Sequence, residues 1–300
     1  MGHRTFGQIA FGWTTVCALI FSWGCTRQED AFGQLIVVLD SQVPARNAAV
    51  DGELDRVQVE VTKNNVVLLN RDWLFPSSTL TFPQTVALVN RGGSVSDPVR
   101  FIVTASRDGR VTFMQERQLL VPVDSTSFTV TSLEWLCRGF ASTVNNRPNA
   151  GCPAGQTCRA GACVATQPLA DDVSTFAPAP ACFDLQGCFA GAQDITASLD
   201  ATCALSLASS DVTAAGTLNV AIEPVVGQGG LCESGPTPRC RIGLPRGVGS
   251  GFTVANGKLQ LPASVCGLLA GGERIARVWL SRSCPSRPPA QPVCSPWLTP

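Results

Sequence analysis

Apolar positions between residues 34 and 131 recur in short bursts at roughly ten-residue spacing, separated by turn-forming residues. Gln34-Leu-Ile-Val-Val-Leu39 is a compact apolar run. Arg56-Val-Gln-Val-Glu-Val61 alternates, which puts Val57, Val59 and Val61 on one face and Arg56, Gln58 and Glu60 on the other. Lys63-Asn64-Asn65 turns the chain into Val66–Leu69, and Thr79–Phe82, Val86–Val89 and Val99–Ala105 follow. Asp108-Gly109 is a two-residue hairpin signal leading into Val111–Met114, and Ser127–Thr131 closes the set. No helix of useful length is expected here. Short strands at this spacing predict an antiparallel sandwich.

The second half carries weaker β patterning. Strands are expected at 195–199, 217–222, 239–244, 252–254, 258–261 and 274–280, with Asn256-Gly257 as a second hairpin. Pro262–Ala270 reads as one short helix, with Pro at its start and Gly271-Gly272 ending it. The fold class expected is mainly β: two antiparallel β-sandwich-like domains joined by a small disulfide-rich module.

Between the halves the pattern breaks. Cys137, Cys152, Cys158 and Cys163 fall within 27 residues rich in Gly and Pro, with almost nothing apolar to bury. Five and four residues separate the last three, and no C-x-x-C occurs in the chain, so disulfides are expected rather than a zinc or redox site. An EGF-like alternation would pair Cys137 with Cys158 and Cys152 with Cys163. Eight more cysteines (Cys182, Cys188, Cys203, Cys232, Cys240, Cys266, Cys284 and Cys294) lie in the last 119 residues. The Pro-rich stretch Cys284–Cys294 reads as a loop closed by its own disulfide.

The N-terminus sets the compartment. Arg4 followed by the apolar run Ile9–Trp23 resembles an export signal. That run is about 15 residues, where roughly 20 are needed to span a bilayer. It ends Ser22-Trp23-Gly24-Cys25, and Gly before Cys resembles a bacterial lipobox, which implies a lipid on Cys25; the usual Leu and small residue are replaced by Ser22 and Trp23. Of fourteen cysteines, Cys17 leaves with the signal; with lipid on Cys25, twelve remain, enough for six disulfides. Cleavage before Cys25 without lipid would leave thirteen, and cleavage a few residues later would again leave twelve. The domains expected are therefore a signal (1–24), a lipid-anchored tether (25–32), a β-sandwich (33–136), a Cys-rich module (137–166), an extended linker (167–181) and a disulfide-stapled β domain (182–300).

Composition removes several function classes. Twenty-two basic residues balance twenty-two acidic ones, so no net field favours nucleic acid. Tyr is absent and the single His, His3, lies in the signal, leaving no imidazole for a Ser-His-Asp triad or a metal site. No cofactor is expected. Asp51-Gly-Glu-Leu-Asp55 departs from the EF-hand pattern at Arg56 and Thr62. Gly247–Gly251 and Gly227–Gly230 match neither dinucleotide nor Walker spacing. Asp184, Asp194, Asp200 and Glu223 could supply a glycosidase pair, although no spacing singles out two of them. Trp73, Trp135, Trp279 and Trp297 could stack on sugars, yet each lies in or beside an apolar run.

A lipobox-like signal, a β domain ending Leu133-Glu-Trp-Leu-Cys137, C-P-x-G-x-x-C-x-x-G-x-C-V, and Cys182-Phe-Asp-Leu-Gln-Gly-Cys188-Phe together resemble Cys-rich predicted lipoproteins of myxobacterial type. The first half resembles an immunoglobulin-like or prealbumin-like sandwich without the Cys-Trp-Cys pattern. The resemblance implies architecture and location and carries over no catalytic residue. The expectation is a non-catalytic cell-envelope protein with a binding or structural role. It would sit at the outer membrane through its lipid, or be secreted, with envelope protein or polysaccharide as partner. Carbohydrate binding and a His-independent carboxylate hydrolase are the alternatives.

Overall fold

The structure is a computed structural model that describes residues 33–44, 54–75, 77, 82–90, 97–145, 147–167, 173–175, 182–225, 229–232, 239–247, 249, 251–272 and 274–294. The signal, the tether with Cys25, most of the acidic loop 51–55, the strand expected at 79–82 (save Phe82) and Trp297 lie outside the described residues.

Seven strands build the first half: β1 (Gly33–Ser41), β2 (Arg56–Lys63), β3 (Val66–Leu74), β4 (Gln84–Asn90), β5 (Val99–Arg107), β6 (Arg110–Leu119) and β7 (Thr126–Leu133). The order β3-β2-β5-β6 makes one sheet, and β7-β1-β4 makes the other. Alternation works as expected: Val57, Val59 and Val61 are fully buried and pack with Leu35, Val37, Phe101, Val103 and Phe113 between the sheets. Asp108 and Gly109 (φ 50° and 74°) take the two left-handed positions of a tight hairpin, which Gly occupies without strain. One pairing departs from the antiparallel expectation. β1 runs parallel to β7, Gln34 opposite Thr126 and Ser41 opposite Leu133.

The module forms two small hairpins, β8 (Ala141–Val144) with β9 (Arg147–Ala150) and β10 (Gln156–Arg159) with β11 (Ala162–Ala165). The stretch expected as a linker contributes a strand, β12 (Val173–Thr175), antiparallel to β7 at the edge of its sheet.

The second half centres on a five-stranded sheet. It is ordered β13 (Gln193–Asp194), β20 (Ile275–Ser281), β15 (Asn219–Pro224), β17 (Cys240–Leu244) and β16 (Leu231–Cys232). A three-stranded sheet of β14 (Ala204–Ser206), β19 (Lys258–Gln260) and β18 (Thr253–Ala255) flanks it, with short helices α1 (Leu185–Phe189) and α2 (Ser209–Thr213). Helix α3 (Ala263–Gly271) follows Pro262 and ends on left-handed Gly272, as its sequence requires. The strand expected at 195–199 is instead a 3-10 turn over Thr196–Ser198. Asp194 accepts from the Thr196 N–H at 2.9 Å and from its hydroxyl at 2.6 Å, which starts the turn.

The two halves, expected as separate domains, share one apolar core. A single buried cluster runs from Leu35, Val59 and Phe101 through Trp135, Leu136 and Ala160 to Val220, Ile242, Val265 and Leu280. The reason is local. Trp135 and Leu136 follow directly on β7, and Arg274, beside β20, stacks 4.5 Å from the Trp135 ring centroid. The outer face of β1 is covered as well: Val38, Phe128 and Val130 pack on Ala290. Burial on both faces explains why β1 reads as a continuous apolar run rather than an alternating one.

Candidate functional site

Among the described residues, the buried Asp40 and Arg287 stand where the C-terminal segment crosses β1, while the buried Asp211 pairs with Arg282 at 2.6 Å. Asp40 ends the apolar run of β1 and is 1% exposed. Its carboxylate accepts from the Ser41 N–H at 2.8 Å, the Ser132 hydroxyl at 3.4 Å and the Val293 N–H at 3.4 Å. Burial pushes its carboxyl above the ordinary carboxylate value, with the Arg287 guanidinium pulling the other way. Glu134, half-buried after β7, accepts from the Ala160 N–H and is likewise raised by burial, against Arg159. Arg287 is itself buried, donating from Nη1 to the Gly243 carbonyl at 3.0 Å and from Nε to Gln291 at 3.1 Å. Burial lowers its pKa, opposed by Asp40 and Glu134.

This cluster has no room for a substrate. The adjoining cavity, lined by Ser41, Gln42, Leu231, Arg241 and Val293, measures about 10 Å³, close to the space of one water molecule. Its chemistry is therefore a tie: Asp40 fastens the segment after β20 to β1 through the Val293 N–H, and Arg287 fastens it to β17 through the Gly243 carbonyl.

Two of the sequence-named carboxylates flank β20: Asp194 pairs with Arg277 at 3.7 Å, and Glu223 stands opposite Arg277 on β15. Asp184 caps α1 through the Gly187 N–H at 2.9 Å. Asp194 loses to burial but gains more from its Thr196 hydrogen bonds, which hold it below the ordinary value. Asp200 is lowered by the Thr202 hydroxyl at 2.6 Å and the Ala204 N–H at 2.9 Å. Glu223 accepts from the Trp279 indole N–H at 2.8 Å. Asp184 and Asp200 shape their own turns, and Asp194 and Glu223 bind side chains of β20.

The tryptophans divide similarly. Trp135 is fully buried and Trp279 is 7% exposed, with Arg241, Arg239 and Arg277 around its ring at 5.0, 5.7 and 5.9 Å. Neither presents a face for a sugar. Trp73 is half-buried against the core from edge strand β3. Of the acidic loop, Asp55 accepts from the Asp108 N–H and so caps the β5–β6 hairpin.

Ten of the twelve expected disulfide cysteines are bonded. Cys137–Cys158 and Cys152–Cys163 pair in the alternating pattern, and Cys232–Cys240 closes a short loop. The loop Cys284–Cys294 is not closed on itself. Cys284 reaches Cys188 and Cys294 reaches Cys182, because Arg287 and Ala290 between them are buried and draw the loop into the body. Cys203 and Cys266 stand as free thiols rather than a disulfide, and the Cys266 thiol donates to the Thr202 carbonyl at 3.8 Å. Burial first, and Cys203 next, push the Cys266 thiol up to about 12. Among the described residues no group of three or more His, Cys, Asp or Glu could hold a metal, and no helix is long and apolar enough to cross a membrane.

Open grooves lie at one pole of the sandwich. One of about 480 Å³ runs between the edge strands β3 and β4, lined by Leu68, Leu69, Ala87, Val89, Val99 and Val121. A second, of about 410 Å³, is lined by Leu35, Pro98, Leu119, Leu120 and Val173. Sequence reasoning missed both grooves, although the consecutive apolar residues Val66–Leu69 were a signal that one face of β3 had to be exposed. Asp40 also carried a signal, as a lone acid ending an apolar run. Arg287, inside a Pro-rich stretch, carried none. No family model, curated protein or solved structure matches the chain.

Proposed function

We propose that this chain is an exported cell-envelope protein, anchored by a lipid on Cys25, with a binding or architectural role and no catalytic one. The observation that supports it best is the pair of long-range disulfides, Cys182–Cys294 and Cys188–Cys284, which close 112 and 96 residues. One closure of that length stabilises by about 4–5 kcal/mol in the chain-entropy model, and the second, nested with it, adds less. Such bonds persist outside the reducing cytosol. The cavity beside the buried carboxylates is too small for a substrate, which favours binding through the outer surface.

Detergent-phase partition of the host-made protein tests this reading. The native chain should enter the detergent phase and incorporate labelled fatty acid, and Cys25→Ser should remove both properties. Equal aqueous partition of the two, without label, would refute the anchor.

A further inference from the structure

Exposed apolar side chains are concentrated at the pole where β1 begins. Val66, Val67, Leu68, Val89, Leu120 and Val123 are each 39–61% exposed, and all stand at the β2–β3 turn, the end of β4 or the β6–β7 connection. Strand register places these features together. Gly33 lies opposite Asn90, Gln34 opposite Val89 and Thr126, and Lys63 opposite Val66. A Cβ at Gly33 would sit 1.7 Å from the Pro122 carbonyl oxygen, so the first residue of β1 is pressed against the β6–β7 connection. The two grooves of about 480 and 410 Å³ open beside the same residues. Among the described residues the cations there are paired: Lys63 lies 3.9 Å from Asp97, and Arg100, opposite Thr62, pairs with Glu116 at 2.7 Å.

We propose that this pole rests on the lipid surface to which the chain is anchored, with the six apolar side chains at the boundary between headgroups and acyl chains. The inference deepens the anchoring reading and rests on it for the occupant. Thr26 to Gly33 is eight residues, with a reach of at most about 28 Å when fully extended. That tether delivers β1, and with it this pole, to the membrane. A patch of valine and leucine whose described cations, Lys63 and Arg100, are each paired with a carboxylate suits a shallow apolar insertion, whereas a basic patch would suit attraction to anionic headgroups. Strands β3 and β4 are also sheet edges, so a second copy of this chain or an added strand are the rival occupants.

The test holds the mature chain, from Thr26, by an N-terminal hexahistidine tag on phosphatidylethanolamine–phosphatidylglycerol vesicles doped with nickel-chelating lipid. Hydrogen exchange is followed by mass spectrometry with and without vesicles. Exchange over residues 63–69, 87–90 and 119–124 should slow at least threefold on the vesicles, while the Asp108-Gly109 hairpin is unchanged. Leu68→Ser with Leu120→Ser, both exposed positions, should abolish the slowing without lowering Tm. Unchanged exchange at the pole would overturn the proposal, as would slowing without vesicles that grows with protein concentration, the mark of a second copy. The tag supplies the anchor, so a failure of lipidation at Cys25, seen separately by mass, leaves this readout intact.

Discussion

The carboxylate of Asp40 accepts a hydrogen bond from the backbone N–H of Val293, 253 residues further along the chain, at 3.4 Å. Arg287, buried a few residues before Val293, opposes the burial that raises the Asp40 carboxyl. The positive charge of Arg287 thus favours the ionised carboxylate that holds Val293. Arg287→Met should destabilise by about 1.5–3 kcal/mol at pH 7, since it removes the donors to the Gly243 and Gln291 carbonyls and the positive charge that opposes the burial of Asp40.

The pH dependence has a defined sign. A carboxyl whose folded-state pKa is raised binds its proton more readily when folded, so its contribution to stability falls as pH climbs from the ordinary carboxylate value through the raised one. Arg287→Met raises Asp40 further. The deficit of this variant against the native chain should therefore shrink on going from pH 7 to pH 5, in urea titrations at both pH values. A deficit independent of pH would show that packing, not charge, is what Arg287 provides.

Trp135 sits in the cluster shared by both halves and is fully buried. Trp135→Ala should cost about 3–5 kcal/mol. Calorimetry of the native chain should give one cooperative transition, and the variant the same single transition at lower Tm. Two separable transitions, only one of them moved, would mean that the halves unfold independently.

Glycine positions provide a graded test. Gly109 has φ 74° with nothing near its missing Cβ, so Gly109→Ala should cost about 1–2 kcal/mol from backbone strain alone. Gly161 has φ 75°, and a Cβ there would meet the Ser264 Cβ at 2.6 Å and the Leu136 carbonyl oxygen at 3.2 Å. Gly161→Ala should add about 1–3 kcal/mol of overpacking, because it pushes the module's hairpin away from α3. Urea midpoints for the two variants should rank accordingly.

Local chemistry was legible in the sequence, and long-range closure was not. The alternation in β2 and the turns Asp108-Gly109 and Asn256-Gly257 depend on neighbouring residues, and they formed where their residues required. Pairing of β1 with β7 is parallel and joins segments about ninety residues apart, which no local pattern encodes. The 284–294 loop misled for a related reason. Proline and two flanking cysteines suggest self-closure, but burial of Arg287 and Ala290 decides the outcome. The linker reading of 167–181 failed at Val173–Thr175 because the open edge of β7 could accept a strand there.

Cys203 and Cys266, the two unpaired cysteines among the described residues, should close as a sixth disulfide in an oxidising compartment, since Cys266 Sγ already lies 3.8 Å from the carbonyl of Thr202, the residue next to Cys203. If they remain reduced, Cys266 should alkylate slowly at pH 8 under native conditions. A thiol pushed up to about 12 has little thiolate there. Fast alkylation of native protein at Cys266 would contradict both outcomes.

The central claim is export with a lipid on Cys25 and a disulfide-closed body, and the intact mass of the host-made protein tests it most directly. The protein would be alkylated under denaturing conditions, with and without prior reduction. The expected result is an acylated chain beginning at Cys25 that takes up no alkyl group before reduction and twelve after it. Two groups before reduction would leave Cys203 and Cys266 unpaired while sparing the claim. A chain without acyl mass, or one that takes up more than two groups unreduced, would contradict it.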